Sequence, residues 1–219
     1  MRIGIIGAGH IGSALARRLT ELGHRIIIAN SRGPATLADV AANTGATAVE
    51  VEDAVRGVEL IVLTIPMKNV SRLPSGLFAS VPAAIPVIDT CNYYPRQRDG
   101  RIAEIEDGLV ESAWVARQIG HSVIKAFNNI YAQHLADFGK EAGSPGRIAL
   151  PVAGDDQAAK ATVLMLVESL GFDALDAGPI AESWRQQPGT PAYCKDLGVG
   201  ALRKALADAS HARTADWRA

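Results

Sequence analysis

Six residues near the amino terminus, Gly7-Ala8-Gly9-His10-Ile11-Gly12, constrain the fold more than any other part of the chain. Their spacing, G-x-G-x-x-G, recurs by chance in many proteins, so its weight comes from what flanks it. The apolar run Ile3 to Ile6 reads as a strand, and Ile11, Leu15, Leu19 and Leu22 recur at helical spacing up to Gly23, a helix stop. Between a strand and a helix each glycine has a physical task. Gly7 permits the tight turn, Gly9 removes the Cβ that would keep the backbone from a pyrophosphate, and Gly12 lets helix and strand pack closely. Free amides at the helix start, with the positive end of its dipole, then face an anion. The whole turn, with Ala8 and Ile11, is expected to bind a dinucleotide, and His10 to be cofactor-facing or solvent-exposed rather than catalytic.

The rest of the chain supports the fold this turn implies. Short apolar runs at Arg25 to Ala29, Leu60 to Ile65 and Ile85 to Asp89 alternate with helical stretches, the pattern of βαβ units around a parallel sheet. Val123 to Phe127, Ile148 to Ala153 and Phe172 to Asp176 read as further strands, with a helix from Asp155-Asp156 to about Leu170 and another over Leu197 to Ala209. Asp155 or Asp156 is expected to cap its helix rather than act in catalysis or bind metal. Ser183 to Pro191 reads as a loop, and the tail beyond Ala209 carries no signal. The expected fold is α/β: a Rossmann-type, doubly wound, mainly parallel sheet with a small C-terminal extension. A division into a dinucleotide-binding unit, 1–127, and a smaller acceptor-side unit, 128–219, is one reading; a single continuous domain is the other.

After the second strand, where sites for NAD usually place a carboxylate on the ribose, stands Asn30-Ser31-Arg32-Gly33. No acid is present to repel a 2′-phosphate, and Arg32 offers a planar fork of donors beside the Ser31 hydroxyl. NADPH is therefore the expected cofactor.

A formal net charge of -1 offers no global field to hold nucleic acid. The two cysteines, Cys91 and Cys194, are too few for a disulfide framework and lack C-x-x-C spacing, and the five histidines show no ligand spacing, so no metal site is expected. Met1 to Gly7 begins directly on a strand pattern, without a leader or a spanning run. A cytoplasmic protein acting on a small-molecule acceptor follows as an expectation, with no nucleic-acid or membrane partner and a homodimer as the guess for assembly.

Gly7 to Gly12, Asn30-Ser31-Arg32, Leu63-Thr64-Ile65-Pro66, Pro151 to Asp156 and Asp176-Ala177-Gly178-Pro179 together resemble the NADP-dependent coenzyme F420 oxidoreductases. The resemblance runs to about Pro179. Lys125-Ala126-Phe127-Asn128 is also similar to the reductase domain of the six-transmembrane epithelial antigen metalloreductases. The resemblance implies NADPH across the carboxyl ends of the strands, lined by Thr64, Ile65 and Pro66, and a flavin or deazaflavin such as coenzyme F420 in the adjoining cleft. Asp89 to Pro95 and Ser183 to Pro191 depart from the coenzyme F420 pattern where the acceptor is expected.

On that acceptor side the turn Asn92-Tyr93-Tyr94-Pro95 is expected to place polar and aromatic groups beside the nicotinamide, with Tyr93 and Tyr94 packed over the sheet edge as the alternative. Cys91, without a paired base, reads as a small buried hydrophobe rather than a nucleophile. Lys125 either neutralises an anionic substrate or donates a proton, or it snorkels to water; Phe127, Asn128 and Asn129 end the same strand, where amides orient a carbonyl-bearing ring or cap a helix. Trp184 and Arg185 supply a flat face and a cation for a planar anionic ligand, or else anchor the C-terminal segment. Hydride transfer between NADPH and a second planar cofactor is the expected chemistry, since it needs positioning rather than a nucleophile. Direct reduction of a small imine, ketone or quinone, and an NADPH-binding redox sensor without turnover, are the alternatives.

Overall fold

In the computed structural model, which describes residues 1–219, the chain leaves strand β1 (Arg2–Ile6) through the glycine turn into helix α1 (His10–Glu21) and returns as β2 (Arg25–Ala29). A 3-10 turn leads into α2 (Ala38–Thr44) and the short β3 (Thr47–Ala48). Then come β4 (Leu60–Leu63), α3 (Met67–Val70), β5 (Val87–Asp89), α4 (Ala103–Glu106), α5 (Glu111–Ile119) and β6 (Ile124–Lys125). All six strands pair in parallel in the order β3-β2-β1-β4-β5-β6. From β1 the chain winds outward to β3, then crosses back to β4 and winds the other way. That reversal opens a crevice beyond the carboxyl ends of β1 and β4, the place where doubly wound sheets bind ligands.

β4 is buried at all four positions, as a strand covered on both faces requires. Gly4 in β1 has no room for a side chain, since a Cβ would lie 1.8 Å from the Ala54 carbonyl oxygen. The remaining chain adds α6 (Ala132–Asp137), β7 (Ala149–Val152), α7 (Gln157–Ser169), β8 (Asp173–Asp176) and α8 (Val199–Ala207). β7 and β8 form their own parallel pair, tied to the large sheet by an antiparallel bridge between Lys125 and Ala153. α7 contributes Val163, Leu166 and Val167 to the same apolar cluster as Ile3 and Ile5 of β1 and Leu15 and Leu19 of α1, so the later elements pack on the core of the first sheet. A second cluster, with Ile61, Leu63, Val87 and Trp114, fills the opposite face.

Several boundaries differ from the sequence expectation. β4 stops at Leu63 and β5 begins only after Pro86, which lacks an amide to donate to the ladder. The strand expected to reach Phe127 ends at Lys125, because Phe127 takes a left-handed φ of 59°. Ile180 to Gln186 form a 3-10 helix, so the expected loop over Ser183 to Pro191 is helical in its first part. The tail also has structure, a short 3-10 turn at Ala215–Trp217. Asp156 caps α7 as expected, its carboxylate accepting from the Ala159 amide at 2.9 Å. No helix is long and apolar enough to cross a membrane.

Candidate functional site

The glycines of the turn divide by what surrounds them. Gly7 adopts φ 116°, and a Cβ there would lie 2.1 Å from the Thr64 carbonyl oxygen; one on Gly12 would lie 2.0 Å from the Gly7 carbonyl oxygen. These two are demanded by the protein's own packing. A Cβ on Gly9 would meet nothing within 4 Å, so its missing side chain leaves open space above the first turn of α1. α1 has no side-chain cap and no acid in its first turn, which leaves its amino-terminal amides and the positive end of its dipole for an anion. A pyrophosphate fits both observations.

Gly7 to Gly9, Asn30 to Arg32 and Thr64 to Pro66 line one cavity of about 590 Å³ beyond the carboxyl ends of β1, β2 and β4. Asn30 shapes the loop: its Oδ1 accepts from the Arg32 amide at 2.8 Å and its Nδ2 donates to Thr36 Oγ1 at 2.9 Å. The Arg32 guanidinium is exposed at the cavity, and so is a second cation, Arg72, after α3. Sequence reasoning passed over Arg72. Its signal was its place just beyond Pro66, on the loop that follows the ligand edge of β4.

A second cavity of about 450 Å³ shares Gly9, Thr64, Ile65 and Pro66 with the first, so the two form one cleft along the strand ends. Ile11, Asn92, Phe127 and Asn128 line it, joined by Tyr94, Arg98, Tyr193 and Cys194. Its floor is an interlocked set of amides. Asn92 Nδ2 donates to the Asn128 carbonyl at 2.8 Å, Asn128 Nδ2 donates to Asn92 Oδ1 at 3.0 Å, and Gln186 Nε2 donates to Asn128 Oδ1 at 2.9 Å.

Other expected site residues lie elsewhere. His10 is exposed and Gly12 is buried inside the turn, both outside the two cavities. Lys125 is 1% exposed and reaches neither cavity; its ammonium donates to Asp89 Oδ2 at 3.1 Å and to the Cys91 carbonyl. Burial alone would lower its pKa, but the Asp89 and Glu111 carboxylates outweigh it and hold the ammonium above its usual range. It neither meets an anionic ligand nor snorkels to water: it neutralises Asp89, which also accepts from Ser112 Oγ at 2.7 Å and the Cys91 amide at 2.8 Å. Tyr93 is fully buried, its hydroxyl accepting from the Ile102 amide at 2.9 Å and pushed up to about 12 by burial. The residue that faces the cavity is its neighbour Tyr94, because successive side chains along an extended segment point to opposite sides.

Asn129 is buried against the Ala192 carbonyl. Trp184 and Arg185 lie on the 3-10 helix, the guanidinium 4.3 Å above the indole and paired with Glu182 at 2.5 Å. Trp184 meets His211 edge-on at 4.8 Å and lines a separate cavity of about 90 Å³, so it anchors the tail instead of offering a face to a ligand. Cys91 is buried, and burial pushes its thiol well up, which leaves it a packed hydrophobe.

Comparison with known proteins agrees with the geometry. A family model described as NADP oxidoreductase, coenzyme F420-dependent, matches residues 2–93. The Escherichia coli K12 protein YjhV is 51% identical over 64 residues, 29% of this chain and 47% of that protein, so the chain matches about half the length of that curated relative. Among solved structures, a hypothetical protein from Sinorhizobium meliloti is 32% identical with a TM-score of 0.76, covering 90% of this chain and 95% of that one. A protein assigned as an F420-dependent NADP-reductase from Arthrobacter sp. FB24 is 27% identical with a TM-score of 0.70, covering 84% and 87%. Mycobacterium tuberculosis 3-hydroxyisobutyrate dehydrogenase, 17% identical with a TM-score of 0.59 over 82% of this chain and 55% of that one, shares the fold.

Proposed function

The chain belongs to the coenzyme F420-dependent NADP oxidoreductase family, and from that premise we propose that it transfers hydride between NADP(H) and a flavin or deazaflavin acceptor. The observation that carries the reading is one cleft with two differently built halves meeting at Gly9, Thr64, Ile65 and Pro66. Bound NADPH would supply a hydride from its nicotinamide ring. The turn and the amino-terminal amides of α1 hold the pyrophosphate, and Arg32 with Ser31 receives the 2′-phosphate. Thr64, Ile65 and Pro66 would direct the nicotinamide toward the second cavity, where Tyr94 and Tyr193 give flat surface to a planar acceptor. Positioning two rings face to face in a water-poor cleft is the protein's main contribution.

Two measurements test this. In titration calorimetry Arg32→Ala weakens NADPH binding by roughly tenfold or more, the size of a lost charge-assisted hydrogen bond of about 1.5 to 3 kcal/mol, and leaves NADH binding nearly unchanged. Equal losses for both coenzymes overturn the phosphate assignment. In stopped-flow NADPH oxidation, coenzyme F420 or a flavin is reduced faster than quinones or imines. A second reading, reduction of a small imine, ketone or quinone, is favoured by the phenols of Tyr94 and Tyr193 in the acceptor cavity and wins if that order reverses. NADPH binding without turnover of any acceptor points to a sensor.

A further inference from the structure

Hydride transfer to a conjugated ring leaves an electron pair on a ring nitrogen that a proton donor can neutralise, and Lys125 is sealed away from the cleft. The cavity contains one polar pair built for such a task. The hydroxyls of Tyr94 and Tyr193, 99 residues apart in the chain, are in direct hydrogen-bonding contact on its wall. We propose that Tyr94 is the catalytic acid of the acceptor site and that Tyr193 stabilises the phenolate it leaves.

Tyr94 is held on every side. Its amide donates to Asp99 Oδ2 at 2.8 Å, the Arg98 guanidinium lies 4.8 Å from its ring centroid, and the Trp217 ring packs on it with centroids 5.8 Å apart. Arg98 is fixed in turn by Asp99 at 3.0 Å and by the Asn92 carbonyl at 2.6 Å. On the other side Cys194, which follows Tyr193, takes a left-handed φ of 53°, a conformation uncommon for a residue with a side chain. Its amide is tied to the Asn129 carbonyl at 2.9 Å. Two chain segments are thus held in place to bring two phenols together at a cavity, an arrangement that packing alone does not require. Burial raises both phenols, so each keeps its proton at neutral pH. The Arg98 guanidinium lies over the Tyr94 ring and the Tyr193 hydroxyl meets its oxygen, a setting that stabilises a phenolate at Tyr94 and assigns it as the donor.

The inference rests on the proposed function, and the step balances as follows. A hydride leaving C4 of the nicotinamide with its bonding pair would form an N–H bond at the central-ring nitrogen of a flavin, or a C–H bond at the carbon that replaces it in a deazaflavin. The displaced π pair moves to a ring nitrogen, which takes the Tyr94 proton. The phenolate accepts a hydrogen bond from Tyr193 and regains a proton from solvent. Each cycle consumes one NADPH, one proton and one oxidised acceptor, and yields NADP⁺ and the reduced acceptor.

The test compares wild type with Tyr94→Phe, which keeps the ring packed between Arg98 and Trp217. With coenzyme F420 or flavin mononucleotide as acceptor, single-turnover reduction falls by about 10²-fold, the lower range for loss of a general acid, while calorimetric NADPH affinity stays within twofold. The solvent deuterium isotope effect on that step disappears in the variant. Independently of turnover, ultraviolet difference titration shows Tyr193 ionising at lower pH once its partner is removed. A variant that reduces the acceptor within threefold of an active wild type overturns the relay and leaves the proposed function standing. A Tyr193 titration unmoved by Tyr94→Phe also overturns the relay. A wild type that binds NADPH and reduces neither acceptor overturns the proposed function and the relay together.

Discussion

The two halves of the cleft are made of different material. The cofactor half is mostly backbone: a carbonyl against Gly7, a carbonyl against Gly12, open space over Gly9 and free amides on α1. It is assembled from segments that are short and nearly contiguous, so its chemistry lies in the order of residues. The acceptor half is mostly side chain, brought from β5, the end of β6, the 3-10 helix and the segment around Tyr193. What holds that half in place is a set of long-range polar contacts beneath its floor. Damage should therefore spread differently through the two halves.

The largest expected effect comes from beneath the floor. Lys125→Met removes the ammonium paired with Asp89 and leaves that buried carboxylate without a counter-charge, while Glu111 keeps its pair with Arg213. Breaking a buried pair by removing one partner costs about 3 to 5 kcal/mol, a large part of a domain's stability. Chemical denaturation is expected to show that loss, with Asp89→Asn/Lys125→Met recovering part of it. Under a direct role in chemistry, the double variant would instead keep full stability deficits separate from activity, and Lys125→Met would be well folded but inactive.

Next comes a pair of substitutions within one turn. Gly12→Ala places a Cβ 2.0 Å from a backbone oxygen, so the turn must move, at about 1 to 3 kcal/mol of stability. Gly9→Ala meets no protein atom and should leave the melting temperature within a degree or two, yet weaken NADPH binding by an order of magnitude or more, because its methyl would enter the space proposed for the pyrophosphate. A Gly9→Ala protein that binds NADPH normally would mean the open space is not the phosphate site.

The same contrast explains what the sequence made legible. Five of the six parallel strands, the turn and Arg32 each have a local signature: an apolar run, a fixed glycine spacing, a cation in register after a strand. α2, α5 and α6 were not separately foreseen, the two-residue β3 is too short to carry a pattern of its own, and β6 was read longer than it is. On the acceptor side residue type was informative but direction was not. Tyr93 and Tyr94 are adjacent tyrosines of one turn, and only the fold decides that the first goes into the core and the second to the cavity. Lys125 at a strand end looks like a functional cation until Asp89 and Glu111 are known to lie beside it. Tyr193 could not be foreseen, since its partner is 99 residues away.

The smallest effect probes the one place where the cofactor half also depends on a side chain that sequence order did not reveal. Arg72 lines the same cavity as Arg32 but is exposed and makes no ion pair within the protein. Exposed charges act through solvent, so its contribution to a bound 2′-phosphate should be about 0.2 to 1 kcal/mol, a few-fold in affinity and smaller at high salt. Arg72→Ala is thus expected to lower NADPH affinity slightly and NADH affinity not at all, by calorimetry at two ionic strengths. In the Arg32→Ala background the loss from Arg72→Ala should differ from its wild-type value if both guanidinia grip one phosphate, and should equal it if Arg72 only raises the local potential. An effect of Arg72→Ala as large as that of Arg32→Ala would show that the cofactor half, too, is held by a distant side chain, and the contrast between the halves would narrow to the pyrophosphate turn alone.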